Sequence, residues 1–290
     1  MAEREAIKTY RASCHCGAFI FEARAPEITS AAACNCSICT KKGYLWTIPA
    51  EPMTIVKGDG SLKEYTFGPK RTVHMFCPTC GTPVMGRNDN LPAGQEIALN
   101  VRTFQDLDIQ KLERKVFDGQ KLNPEYIHAA PVFAGPEPSA VVEGGKVYTG
   151  SCHCGAVTAA VKVEPLDDTY PGPILECICS ICQRGAYIWI YPKNEQVVVQ
   201  GQENLSYYVF GSGNYRKAFC KTCGVHIMND QNPLTEEEIT AQPEASRKMR
   251  AITQGFLPVT LRILNNFDIH SVKTAVAKGG KELAPAYVNP

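Results

Sequence analysis

The sequence predicts a mainly β protein built from two tandem zinc domains related by internal duplication. Three features carry this reading. Fourteen cysteines fall into two copies of one pattern, the residues around them repeat, and the apolar residues between them come in strand-length bursts.

The pattern is C-x-C, then C-x-C-x-x-C, then C-x-x-C. The first copy is Cys14, Cys16, Cys34, Cys36, Cys39, Cys77 and Cys80, and the second is Cys152, Cys154, Cys177, Cys179, Cys182, Cys220 and Cys223. The interval from Cys39 to Cys77 is 38 residues, and so is that from Cys182 to Cys220. A disulfide framework would want an even number per module and an oxidising compartment. Seven per copy, as close C-x-C and C-x-x-C pairs, suits thiolates converging on metal ions. The first residues show no apolar core of a secretory signal, so the expectation is a reducing, cytoplasmic location.

The repeat runs well past the cysteines. Ser13-Cys14-His15-Cys16-Gly17-Ala18 returns at 151–156, Tyr44-Leu45-Trp46 answers to Tyr187-Ile188-Trp189, and Tyr65-Thr66-Phe67-Gly68 to Tyr208-Val209-Phe210-Gly211. Gly119-Gln120-Lys121-Leu122 and the residues to Tyr126 pair with 280–287. Between the copies, 130–139 is rich in proline and small residues, as a linker is, so the domains are expected to be 1–135 and 136–290. Each has about 140 residues, enough for one core to which bound metal would add stability.

Ala18–Ala23, Tyr44–Ile48, Leu62–Phe67, Thr72–Phe76 and Glu96–Val101 are short and rich in aromatic or β-branched residues, which predicts strands. Gln196–Gln200 and Ser206–Phe210 repeat the pattern. Each half is therefore expected to be antiparallel β with metal-bearing turns at its edges. The second copy has seventeen more residues between its last cysteine and its final strand. In them Thr235 and Glu238 read as a capping box opening a short helix, within a solvated surface insertion or a lid over 231–255.

Composition points to an ordinary globular chain: 44% hydrophobic, 20% charged and a formal net charge of +1. Fourteen thiolates at about −14 and four Zn²⁺ at about +8 would bring the loaded chain to about −5, which argues against a nucleic-acid partner. No apolar run approaches a membrane span.

Seven sulfurs divide into four and three, because a closed tetrahedral zinc takes four ligands and an open one three. The distant pairs Cys14, Cys16, Cys77 and Cys80 are assigned to a closed site, with Cys152, Cys154, Cys220 and Cys223 as its twin. Gly81 and Gly224 permit the tight turn a knuckle needs. The trios Cys34, Cys36, Cys39 and Cys177, Cys179, Cys182 leave a fourth position open, where a thiolate or a small carbonyl could bind. They are the candidate catalytic residues. His74 is a conceivable fourth ligand, but its counterpart is Lys217. His15 and His153 are expected to lie beside the metal or exposed, Trp46, Trp189, Tyr44 and Tyr187 to pack the core or wall a pocket, and Arg102 and Arg262 to be exposed edge charges or carboxylate anchors.

The motifs Gly150-Ser151-Cys152-His153-Cys154-Gly155, Cys-x-Cys-Ser-Ile-Cys in both halves, Tyr65-Thr66-Phe67-Gly68 and Phe-Cys-x-Thr-Cys-Gly in both halves resemble the family of glutathione-dependent formaldehyde-activating enzymes and centromere protein V. The resemblance covers nearly the whole chain, once per half. It implies an Mss4-like (β-tent) fold with two zincs per domain, four per chain: a structural ion on the four outer cysteines and the reactive ion on the central three. The implied activity is of carbon–sulfur lyase type, a glutathione thiol adding to formaldehyde to give S-(hydroxymethyl)glutathione. Two alternatives stand beside it: a zinc lyase or dehydratase of a larger metabolite, and a non-catalytic zinc-stabilised module like centromere protein V. The expected partners are a small thiol or carbonyl compound, with the chain a monomer or homodimer.

Overall fold

The computed structural model describes residues 6–122, 125–277 and 286–290, so that the N-terminal 1–5 and the tail repeat at 280–285 lie outside the described residues. The chain divides into two compact units, one of 1–129 with 183–186 and 288–290, the other of 130–182 with 187–287.

The first copy runs β1 (Lys8–Ser13), β2 (Ile20–Ala25), β3 (Ser30–Cys34), α1 (Ser37–Lys42), β4 (Trp46–Thr47), β5 (Thr54–Lys57), β6 (Lys63–Tyr65), β7 (Val73–Phe76), β8 (Pro83–Arg87), β9 (Ile97–Asn100) and β10 (Glu113–Phe117). Hydrogen bonding sorts its strands into a sheet β1-β2-β5 and a larger one β10-β3-β4-β9-β8-β7-β6. The second copy runs β11 (Lys146–Ser151), β12 (Thr158–Val163), β13 (Leu175–Cys177), α2 (Ser180–Gly185), β14 (Ile188–Ile190), β15 (Val197–Gln200), β16 (Leu205–Val209), β17 (Tyr215–Cys220), β18 (His226–Gln231), α3 (Glu236–Thr240), α4 (Glu244–Thr253), β19 (Val259–Thr260) and β20 (Ala275–Ala277). Its sheets, β11-β12-β15 and β20-β13-β14-β19-β18-β17-β16, repeat the first pair strand for strand. The fold is thus mainly β, two like sheet pairs in tandem halves.

Every pairing is antiparallel except the edge pairs β3 with β10 and β13 with β20, which are parallel. That exception matters to the site, since the register sets Phe117 beside Cys34 and Ala277 beside Cys177. The small sheet is held by alternation. In β2, Phe21 and Ala23 are buried while Arg24 is exposed, and Phe21 meets Phe104 edge-on at 6.2 Å. Burying a side chain of that size stabilises by roughly 1.5–3 kcal/mol.

The strand-length bursts all contribute strands, but α1 and α2 were not anticipated from the sequence. Six residues are too few for a periodic signal. The helix α1 is closed by Gly43 in the left-handed region, φ 60°. The insertion of the second copy has the capping box that Thr235 and Glu238 predict, with reciprocal bonds of 2.8 and 3.2 Å. It is tied down rather than loose. Tyr215 Oη bonds Thr253 Oγ1 at 2.7 Å, Asn214 donates to the Ser246 carbonyl at 2.8 Å, and Gln231 donates to the Arg250 carbonyl at 3.0 Å. Among the described residues no helix is long and apolar enough to cross a membrane.

Candidate metal centres

All fourteen cysteines are free thiols, and their sulfurs gather into two groups of four and two of three. Within each group every sulfur lies within 4.8 Å of the others, so each group could hold a metal ion.

The fours join the two sheets of each copy. Cys14 and Cys16 occupy the turn between β1 and β2, and Cys77 and Cys80 the turn between β7 and β8. Each turn is a knuckle. The Cys14 N–H donates to the Phe19 carbonyl at 3.0 Å while the Phe19 N–H donates to Cys14 Sγ at 3.3 Å. In the second turn the Gly81 N–H donates to the Cys77 carbonyl at 2.9 Å, with Gly81 at φ 72°. The twin turns repeat these bonds at Cys152, Val157, Cys220 and Gly224. The separations Cys14–Cys16 and Cys16–Cys77 are 3.6 Å, and Cys152–Cys154 and Cys154–Cys220 are 3.5 and 3.6 Å. A tetrahedron with zinc–sulfur bonds near 2.3 Å has edges of about 3.8 Å, so the donor set fits zinc.

Each trio is built from a strand end and a short helix. Cys34 closes β3, Cys36 is the N-cap of α1, and Cys39 lies one turn on, so that Cys36 and Cys39 share a helix face. Backbone N–H groups aim at the same sulfurs: the Cys36 N–H donates to Cys34 Sγ at 3.5 Å, and that of Gly119 also bonds Cys34. Hydrogen bonds from Cys36 and Cys39, then these amides, hold Cys34 at about 3. In the second copy the low member is Cys179, held at about 2 by Cys177 and Cys182, with the Lys217 ammonium assisting.

Trp46 and Trp189 do more than pack. Trp46 Nε1 donates to Cys39 Sγ at 3.3 Å and Trp189 Nε1 to Cys182 Sγ at 3.4 Å, and each indole stacks on its tyrosine, at 4.0 Å on Tyr44 and 4.3 Å on Tyr187. Replacing Trp46 by phenylalanine keeps the stack and deletes the N–H. Affinity of the first trio for zinc, read by competition with a chromophoric chelator, is expected to fall by about tenfold with little change in melting temperature.

The first trio opens on a cavity of about 790 Å³. Cys34, Cys36 and Cys39 lie at its wall beside Trp46, and His74, Phe67, Tyr126 and His128 line it too. Phe67 links the aromatic side, 5.7 Å from His74 and 5.8 Å from Tyr126 by ring centroids. His74 is 5% exposed and its Nδ1 has no hydrogen-bond partner among the described residues. Burial, reinforced by the charge of Lys42, depresses it to about 3, so it is a neutral imidazole at pH 7. His74 does not join the sulfur cluster.

Several expectations change. His15 and His153 are buried, at 2% and 1% exposed, so the exposed alternative falls. Arg102 is not an edge charge: its Nε donates to the Gly43 carbonyl at 2.7 Å, locking the end of α1, and it does not line the cavity. Buried guanidinium groups survive where carbonyls take up their donors. Gly119, Tyr126 and His128 escaped the sequence reading as site residues. The recurrence of Gly119 at Gly280 was the available signal, and Gly280 lies outside the described residues.

The family described as glutathione-dependent formaldehyde-activating enzyme matches the chain twice, over residues 9–119 and 147–247. A solved structure, described as the crystal structure of a Rhodobacter sphaeroides protein, is 27% identical, with 37% of this chain and 99% of that chain covered and a TM-score of 0.34.

Proposed function

Because the chain belongs to the family of glutathione-dependent formaldehyde-activating enzymes, in two tandem copies, we propose that it is a zinc-dependent enzyme of carbon–sulfur lyase type acting on a thiol–aldehyde adduct. The fours Cys14, Cys16, Cys77, Cys80 and Cys152, Cys154, Cys220, Cys223 are then structural zinc sites, and the trios Cys34, Cys36, Cys39 and Cys177, Cys179, Cys182 open ones. The domains are taken as 1–135 and 136–290, in a reducing cytoplasm. One observation supports this most: a three-sulfur cluster, with no fourth protein donor grouped on it among the described residues, at the wall of a roomy cavity.

A zinc held by three thiolates supplies a Lewis-acidic position for a thiolate or an aldehyde oxygen. The residues do the rest. Trp46 and the Gly119 amide hold Cys39 and Cys34 in place, the aromatic side at Phe67 and Tyr126 excludes water, and neutral His74 offers a nitrogen to a polar group of the ligand. In the forward reaction a carbon–sulfur bond forms between thiol and aldehyde carbon, and the thiol proton ends on the carbonyl oxygen.

The cavity volume favours a second substrate class as well. About 790 Å³ is at the upper end for small-molecule sites and exceeds the needs of a cysteine arm, so a larger metabolite adduct fits too. NMR of ¹³C-formaldehyde with glutathione checks the first class: the hydroxymethyl thioether signal should exchange with free formaldehyde faster with protein than without. Unchanged exchange with fully zinc-loaded protein would exclude glutathione and leave the larger adduct.

A further inference from the structure

Resting on the reading that the trios are where substrate binds, we infer that the two trios are unequal: the first takes a bulky ligand, and the second admits only ligands of a few atoms. The sulfurs are the same in both copies, and so is the indole behind them. Several of the side chains around them are not.

Four positions that line the first cavity carry larger residues in the second copy. Ala32 becomes Leu175, Ile48 becomes Tyr191, Thr72 becomes Tyr215 and Gly86 becomes Asn229. The register confirms the equivalence on the central strands, since His74 pairs with Gly86 and Lys217 pairs with Asn229. Arg71, at Asn214, Pro69, at Ser212, and Phe117, at Ala277, go the other way, while Asn214 and Tyr215 both bond the insertion.

Of these, Tyr191 lies beside the second trio. With Tyr208 and Phe210, the counterparts of Tyr65 and Phe67, it packs against the cluster formed by Ile181, Cys182, Tyr187 and Trp189. The Lys217 ammonium stands 4.6 Å from the Trp189 ring and 5.4 Å from that of Tyr187. In the first copy the same strand position carries His74, and Gly86 carries no side chain beside Trp46, where a Cβ would meet Trp46 Cη2 at 3.4 Å and Thr72 Cγ2 at 3.7 Å. The rim differs as well. Where Asn88, Leu91, Gln95 and Glu96 of a short loop edge the first cavity, the second copy has α3 and α4, and Tyr215, Asn214 and Gln231 clamp α4 in place.

The test uses zinc-loaded, full-length protein and two thiol reagents, iodoacetamide and a fluorescein maleimide, with labelling of each cysteine followed by peptide mass spectrometry. With the bulky reagent, Cys34 and Cys36 should react at least about tenfold faster than Cys177 and Cys179, and with the small one the gap should shrink to about threefold or less. Equal rates with the bulky reagent overturn the inference. Opening the second site by Lys217→His with Asn229→Gly should raise maleimide labelling of Cys179, and no rise in a variant with wild-type melting and zinc content counts against it. Repeating the labelling with glutathione separates the two ideas. Protection of the first trio alone supports both, and equal protection of both trios overturns the inequality. Protection of neither, with the size gap intact, upholds the inequality and removes glutathione as the ligand.

Discussion

Serine in place of Cys80 is expected to unfold the first copy and leave the second folded. Cys80 is fully buried, and its sulfur gathers with those of Cys14, Cys16 and Cys77 where the β1–β2 turn meets the β7–β8 turn, so that an ion held there would tie the two sheets together. Structural zinc in small domains contributes about 10–16 kcal/mol of folding free energy at neutral pH. The whole net stability of a domain is about 5–15 kcal/mol, so the clamp is on the scale of everything that keeps the copy folded. The first trio depends on β3 and β10 being in register, and its metal should leave with the fold. Zinc content should fall from about four to about two per chain, with loss of the first copy's dispersed amide signals in NMR. A chelator applied to the wild type should have the same effect on both copies. A Cys80→Ser protein that keeps about three zincs and its melting temperature would show that the four-sulfur site is dispensable.

Gly119→Ala should be the most damaging single methyl in the first copy's site. A Cβ at this position would lie well inside van der Waals contact with Cys34 Sγ and 3.4 Å from Cys36 Cβ. Neither neighbour can step aside cheaply. The segment is fixed by Asn35, whose side chain donates to Asp118 at 2.9 Å and accepts from the Gln120 N–H at 3.1 Å, and Cys34 is fixed by its strand. Zinc–sulfur distances tolerate about ±0.2 Å, so relief of the clash must break the trio's geometry, and the amide that bonds Cys34 moves with it. Loss of one zinc equivalent, or a weakening of about a hundredfold in chelator competition, is expected, with the closed site intact and the protein folded. Unchanged zinc release would mean that 117–120 gives way without disturbing Cys34.

Much of the architecture was legible from the chain. The aromatic and β-branched bursts at 72–76 and 206–210 became β7 and β16, and the duplication became two sheet pairs with one strand order. The capping box at Thr235 closed as read. Other features were hidden. The α1 turn is too short to show a period, and Arg102, hydrophilic and near a strand end, is buried because a helix-terminal carbonyl happens to face it.

The sequence alone determined the cysteine groups and their division into four and three. Sulfurs separated by one or two residues must converge locally, and the repeat assigns the distant pairs. It also determined the family. Only the tertiary structure decided how much room the first trio has. Ala32, Trp46, His74, Gly86 and Gly119 are far apart along the chain and meet beside one group of three sulfurs through sheet register and the parallel β3–β10 pair, and the space they leave is a sum of long-range contacts that no local pattern encodes.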